Sequence, residues 1–187
     1  MQKRMTTIGW VRDGVAVVEG SPLVGGYSSF EEFYAVEFPR MVGIAYARSG
    51  SRMAAEDLAQ DAMVAAFHRW SEVGSLESPG GWVRRVLLNR SVSAFHRRKA
   101  EAKALIRLAP LRGEPPRSLS AETAEFWAAV RSLSKRQGDA LILHYLEGLT
   151  VKEIAGILEC SESTVKVHLH RGRAALAVRF GVAEEGS

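Results

Sequence analysis

The feature that most constrains this chain is a pair of short amphipathic helices predicted between Gly148 and Phe180. Thr150 and Glu153 have the spacing of a capping box, which begins a helix. That helix has apolar positions one and two turns apart, namely Val151, Ile154, Ala155 and Leu158. After a short turn, the next helix has an inward stripe of Val165, Leu169, Gly172 and Leu176. The short turn and the small Ala155 at the crossing predict a helix-turn-helix.

The second helix of this pair has an outward face that suits the major groove of DNA, and we call it the recognition face. With the cap of the preceding helix it comprises Thr150, Ser163, Thr164, Lys166, Val167, His170, Arg171 and Arg173. Lys166 and Arg171 can donate to phosphates or to guanine acceptors, and the sequence leaves both open. The alternative is a solvated helix face, but capping, turn length and cations together favour DNA binding.

The whole sequence predicts an all-α protein of two small helical domains joined by a flexible linker. We expect a weakly structured extension at 1–27, with a short strand at most around 15–18. An N-terminal module follows at 28–99, a linker interrupted by prolines and glycines at 100–120, a C-terminal module at 121–181 and a tail at 182–187.

Helix boundaries within the modules follow from caps and breakers. Capping boxes are predicted at Ser28–Glu31 and Ser134–Gln137, and Pro39 predicts a kink or a break. A helix is expected over about 51–70, then a loop over 71–81 and a further helix from Trp82, whose indole we expect in the core.

Composition indicates the cellular compartment in which this chain is expected to work. The 187 residues carry a net charge of +4 and a single cysteine, Cys160, so no intramolecular disulfide can form. No stretch approaches the roughly 20 apolar residues that span a bilayer. We therefore expect a cytoplasmic protein without membrane insertion.

Charge is separated along the N-terminal module. An acidic edge, formed by Glu56, Asp57, Gln60 and Asp61, lies on one predicted helix. Such an edge can dock onto a basic helical surface of another protein, although alone it also fits a plain hydrophilic face.

The next helix carries an arginine track in a stretch without Asp or Glu, which suits a phosphate backbone. The track comprises Arg84, Arg85, Arg90, Arg97, Arg98 and Lys99, with Asn89 beside it. In the preceding loop, Ser75, Glu77 and Ser78 can offer hydrogen bonds to a base taken out of its stack.

Together these segments resemble the extracytoplasmic-function sigma factors of the sigma-70 family, with the actinobacterial SigE-like branch as one candidate. Residues 148–155 and 163–173 resemble region 4, which recognises the minus-thirty-five element. Residues 54–61 resemble the polymerase-docking helix of region 2, and 82–89 with 96–99 resemble the segment that holds single-stranded minus-ten DNA. One departure is Glu159, where the family often has glycine; glutamate does not easily adopt a left-handed conformation.

The resemblance implies a transcription initiation factor that binds core RNA polymerase and promoter DNA, both duplex and single-stranded. The polymerase contacts would be the clamp helices of the largest subunit and the flap of the second largest, and an anti-sigma factor is a further candidate partner. We expect no metal site, because His168 and His170 cannot share one helix face and no second cysteine is present. We also expect no cofactor and no catalysis, since the sequence has no phosphate-binding loop and no nucleophile motif. The rivals are a stand-alone helix-turn-helix regulator with a sensing or dimerising N-terminal domain, and a protein-interaction adaptor.

Overall fold

The structure is a computed structural model and describes residues 26–90 and 121–181. Its elements are helical, which confirms the all-α prediction. They are α1 (Phe30–Ser49), α2 (Arg52–His68), α3 (Trp70–Val73), α4 (79–90), α5 (Ala121–Ser132), α6 (Lys135–Leu141) with a π-helical turn (Ile142–Leu146), α7 (Val151–Leu158) and α8 (Glu162–Phe180). The predicted strand at 15–18, the linker, and Arg97, Arg98 and Lys99 lie outside the described residues.

Helix α1 begins one residue later than the predicted capping box. The Ser29 hydroxyl accepts a hydrogen bond from the Glu32 N–H (3.3 Å), and the Glu32 carboxylate accepts from the N–H (2.8 Å) and hydroxyl (2.6 Å) of Ser28. These hydrogen bonds stabilise the ionised form, so the pKa of Glu32 is lowered. The helix continues without interruption past Pro39, so the break considered there does not occur.

The predicted loop over 71–81 is shorter than expected, because α3 occupies its start and α4 begins at residue 79. The Ser78 hydroxyl accepts from the Gly81 N–H at 3.1 Å, and Pro79 occupies the first helical position. Proline is favoured there because its missing N–H would have no helical partner. The prediction that α4 begins at Trp82 was therefore wrong by three residues.

The capping box predicted at Ser134 does not form. Helix α6 begins at Lys135, but the Ser134 side chain makes no cap hydrogen bond. Burial stabilises the helix instead, since its last four residues, Gly138, Asp139, Ala140 and Leu141, are all buried.

The two modules pack against each other through a continuous hydrophobic core. Helix α1 packs along α2 and also contacts α5 and the π-helical turn of the C-terminal module. Phe33, Met41 and Ile44 of α1 and Leu141 and Leu143 of the C-terminal module are all fully buried. The described parts of the modules therefore meet across an extended interface.

The crossing of α6 and α8 can be tested at Gly172. A Cβ atom there would lie 2.8 Å from the Cδ1 of buried Leu141. Gly172→Ala should therefore lower the free energy of unfolding by about 1–3 kcal/mol in urea denaturation, because overpacking forces the core apart.

Gly156→Ala in α7 is the matched control, because no heavy atom lies within 4 Å of the added Cβ. This variant should be more stable than wild type by about 0.5–1 kcal/mol, since alanine is the better helix former. Equal stability of the Gly172→Ala variant and wild type would contradict the close crossing.

Candidate functional site

Helices α7 and α8 form the predicted helix-turn-helix. The Thr150 N–H donates to the Glu153 carboxylate at 2.7 Å, and the Thr150 hydroxyl accepts from the Glu153 N–H at 3.3 Å, so the capping box is complete. Helix α8 is capped by Ser161, whose hydroxyl accepts from the Thr164 N–H at 3.2 Å. Local capping therefore defines where both helices begin.

The turn between them contains Glu159 in the left-handed conformation, with φ 53° and ψ 51°. Among the described residues it is the one non-glycine residue with positive φ. Glutamate therefore adopts the left-handed conformation here, although it does so less easily than glycine. The N–H of the following residue, Cys160, donates to the Ala155 carbonyl at 3.1 Å.

The recognition face is solvent-exposed along α8. The inward stripe is buried as predicted, at Val165, Leu169, Gly172 and Leu176. The exposed residues are Thr150, Ser163, Lys166, Val167, His170, Arg171 and Arg173, while Thr164 is partly buried. The structure therefore places the predicted residues from Ser163 to Arg173 on one accessible helix, while Thr150 lies at the start of α7.

The acidic edge is exposed along α2. Glu56 pairs with Arg52 at 2.9 Å, and Gln60 accepts a hydrogen bond from the Tyr34 hydroxyl at 3.1 Å. Asp57 and Asp61 are exposed on the same helix. All four residues of the edge thus lie at the surface.

A shallow groove that was not predicted from the sequence runs beside this edge. Phe38, Pro39 and Val42 of α1 form its apolar floor, and the α2 residues Glu56, Asp57 and Gln60 complete its lining. The apolar spacing around Pro39 was the available signal, but it gives no indication that these side chains lie next to α2.

Arg84, predicted to hold DNA, lies buried at the boundary between the modules. Its Nη1 donates to Glu37 Oε2 at 2.8 Å and to the Gly80 carbonyl at 2.9 Å. Its Nε donates to Glu147 Oε2 at 3.0 Å, and Nη2 donates to the same oxygen. Burial opposes the guanidinium charge, but the two carboxylates outweigh it and raise the pKa of Arg84.

Glu37 is equally buried and joins further groups to this network. Its Oε1 accepts from the Tyr27 hydroxyl at 2.9 Å and lies 3.4 Å from Arg40 Nη1. Burial and the adjacent Glu37 charge raise the pKa of Tyr27 far above its usual value. Tyr27 therefore remains a neutral donor at physiological pH.

Arg85 also reaches the C-terminal module. Its Nη1 donates to Glu159 Oε1 at 2.8 Å and its Nη2 donates to the Gly156 carbonyl at 2.7 Å. In the arrangement described, Arg84 and Arg85 are thus occupied by the C-terminal module. Their contact with DNA stays a prediction that requires the modules to separate.

The remaining predicted minus-ten residues are scattered around α4. Asn89 is exposed, and Arg90 donates to the Asp61 carbonyl at 3.0 Å. Ser75 and Glu77 are exposed in the short loop, whereas the Ser78 hydroxyl caps α4. The structure does not gather them into a pocket.

A second polar contact between the modules surrounds Asp139 of α6, which is fully buried. Its carboxylate lies 3.1 Å from Arg48 Nε of α1 and 3.3 Å from Lys135 Nζ. Nearby, Arg131 Nη1 donates to the Ala47 carbonyl at 3.3 Å. Burial raises the pKa of Asp139, and the two cations offset this only in part.

Residues 26–90 and 121–181, which the structure describes, contain neither a metal site nor a membrane-spanning helix. No group of three His, Cys, Asp or Glu side chains there is placed to hold a metal ion. None of the helices in those ranges has the length and apolarity to cross a bilayer.

Comparison with known proteins identifies both modules. The family model "Sigma-70 region 2" matches residues 33–101, and "Sigma-70, region 4" matches residues 123–176. An RNA polymerase sigma-E factor of Streptomyces antibioticus is 30% identical over 122 residues, which are 65% of this chain and 68% of that protein. The ECF RNA polymerase sigma factor SigE of Mycolicibacterium smegmatis is 28% identical over 169 residues, 86% of this chain and 65% of that protein.

A solved structure has the same fold. It is the sigma factor RpoE in complex with the anti-sigma factor NepR from Bartonella quintana, with a TM-score of 0.69 and 24% sequence identity. The similarity covers 83% of this chain and 98% of that one. At this identity the match concerns the fold alone.

The raised pKa of Asp139 predicts how stability depends on pH. A folded-state pKa above the unfolded value gives stability that is present below the unfolded pKa and is lost as pH rises through the folded pKa. Asp139→Asn cannot ionise, so its free energy of unfolding relative to wild type should rise as the pH increases above about 4, where an unperturbed aspartate ionises. Urea denaturation at increasing pH measures the difference; a fall instead would mean that Arg48 and Lys135 outweigh burial.

Proposed function

This chain belongs to the extracytoplasmic-function branch of the sigma-70 family and is a transcription initiation factor rather than an enzyme, and we propose which of its surfaces binds each partner. The acidic edge of α2 docks on the clamp helices of the largest subunit of core RNA polymerase. Helix α4 and the loop before it hold the opened minus-ten element, and the recognition face reads the minus-thirty-five duplex. The C-terminal module also contacts the flap of the second largest subunit.

The observation that carries this proposal is the position of the acidic edge along a groove with an apolar floor. A helical partner can bury apolar side chains on Phe38, Pro39 and Val42 while its cations face Glu56 and Asp57. Charge complementarity then determines the register of docking, and apolar burial supplies affinity. The edge carries no cation between Glu56 and Asp61, which favours a basic partner.

The recognition face is supported by its exposure and its chemistry. Lys166, Arg171 and Arg173 are accessible on α8, and such cations bind phosphates and guanine acceptors. Two modules on one chain make the second DNA contact effectively intramolecular once the first has formed. Individually weak contacts therefore become selective when polymerase holds both modules at one spacing.

Two further features follow from the family. The enzyme that a sigma factor joins transcribes the chromosome, so we place the action of this chain in the cytoplasm. The similar RpoE structure contains an anti-sigma factor, and a partner of that kind is a candidate regulator here. A stand-alone regulator or an adaptor does not account for a chain that matches region 2 and region 4 in order.

A polymerase pull-down tests the docking surface. Asp57→Arg and Asp61→Arg should each weaken the binding of core polymerase about tenfold or more, because a cation would then face a basic partner. The matched control is Glu125→Arg, which reverses an exposed charge on α5 and should bind as wild type does.

The doubly substituted Lys166→Glu, Arg171→Glu variant separates the two surfaces. It should keep wild-type affinity for polymerase but lose binding to minus-thirty-five duplex, with a weaker dependence of the remaining binding on salt. Retention of polymerase by both Asp57→Arg and Asp61→Arg at wild-type affinity would show that the docking assignment is wrong.

A further inference from the structure

We propose that Val167 contacts the C5-methyl group of a thymine in the minus-thirty-five duplex, so that a thymine·adenine pair is selected at one position of that element. This inference deepens the proposed function and rests on it, because it takes α8 to be the helix that enters the major groove. It identifies a kind of base pair that the recognition face selects, which the cations of that face do not determine.

Val167 is the one member of the recognition face whose side chain is wholly apolar. Its side chain stays in solvent, since the residue is 44% exposed. Valine is a weaker helix former than alanine because its branched Cβ restricts the side chain, and at an exposed position it gains little from packing. Neither helix stability nor the core of the C-terminal module therefore accounts for a valine here.

Val167 lies at the centre of the recognition face, away from the core. At about 100° per residue it lies about 200° around α8 from Val165, where the buried stripe begins. Lys166 and His170 are exposed on one side of Val167, and Arg171 is exposed on the other side. Cations on both sides of a helix in the major groove can reach the two phosphate backbones. The residue between them then faces the base edges.

The position of Val167 along α8 also suits contact with bases. Because α8 begins at Glu162, Val167 lies in its second turn, about 7.5 Å from the start at a rise of about 1.5 Å per residue. The N-terminal residues of a recognition helix are the ones that contact base edges. Val178 lies on the same side of α8 and is 84% exposed, but it is about 16 Å further along the helix. Val178 is therefore the matched control.

The chemistry of valine limits the bases that Val167 can favour. Its side chain has no hydrogen-bonding group, and the apolar group that distinguishes one base edge from another in the major groove is the thymine methyl. Valine placed against a polar edge would remove water from that edge without replacing the lost hydrogen bond. Valine placed against the methyl group removes apolar surface from water on both molecules, which is favourable. Thymine is therefore the base that Val167 selects.

Transcription from a promoter library randomised over the minus-thirty-five element locates the position. With core RNA polymerase and the wild-type chain, the transcribed promoters should be enriched in thymine at one position. Val167→Ala should reduce the preference at that position about fourfold, the equivalent of one buried methyl group, and should keep the preferences at other positions. Val178→Ala should select the same sequences as wild type.

Uracil in place of the selected thymine tests the methyl group itself, because the two bases differ only by that group. Core polymerase with the wild-type chain should bind the uracil promoter about fourfold more weakly than the thymine promoter in a competition assay. With Val167→Ala the two promoters should bind equally. Circular dichroism shows that the variant is folded, as expected for alanine in an exposed helix.

Two results would overturn the inference. One is a Val167→Ala variant that selects the same bases as wild type at every position of the element. The other is equal binding of the thymine and uracil promoters by the wild-type complex.

The Lys166→Glu, Arg171→Glu variant distinguishes this failure from failure of the proposed function. If that variant loses minus-thirty-five selection while uracil has no effect on the wild-type complex, the inference alone is overturned. If the wild-type complex shows no base preference at any position of the randomised element, the proposed role of the recognition face is overturned, and the inference with it.

Discussion

One buried cation organises the contact between the two modules. The guanidinium of Arg84 has no solvent exposure and is bound by carboxylates from residues 47 positions before it and 63 positions after it. A buried charge is stable only when its partners are held in place. A single side chain on α4 therefore couples the position of α1, which carries Glu37, to the position of the turn after α6, which carries Glu147. The apolar core beneath supplies the burial that makes this coupling strong.

The distribution of charge explains how a chain with a net charge of only +4 can serve two kinds of partner. Acidic groups lie on α2 beside an apolar groove, whereas cations lie on α4 and on the outer face of α8. The surface proposed to bind protein and the surfaces proposed to bind nucleic acid thus lie on separate helices. In the closed arrangement the α8 surface is open to solvent, whereas Arg84 and Arg85 of α4 are bound to the C-terminal module, so the two proposed DNA contacts differ in availability.

Much of the fold could be predicted from local chemistry, because the signals act within one helical turn. The Thr150 capping box and the buried stripe ending at Leu176 are of this kind, and both are confirmed. The start of α4 was misplaced, although Ser78 and Pro79 carried the signal for it. The capping box predicted at Ser134 does not form, because a suitable spacing in the sequence does not ensure that the serine hydroxyl makes the capping hydrogen bond.

The burial of Arg84 could not be predicted in this way. Apolar periodicity identifies which side of a helix faces a core, but it does not indicate that an arginine on that side will meet carboxylates far away in sequence. The groove at Phe38, Pro39 and Val42 was missed for the same reason, since it requires two helices to be placed together. Contacts between elements that are distant in sequence depend on tertiary packing. Arg84 and the groove residues make contacts of this kind, so their surroundings could not be predicted from local patterns.

If α4 is to bind DNA, the modules that pack together in the free chain must separate when it joins polymerase. Energy transfer between dyes at Ala35→Cys in α1 and Val178→Cys in α8, in a Cys160→Ser background, measures this separation directly. Both labelled positions are exposed. Transfer should be high in the free chain and should fall markedly on adding core RNA polymerase. The same transfer efficiency in the free and bound chain would contradict this separation.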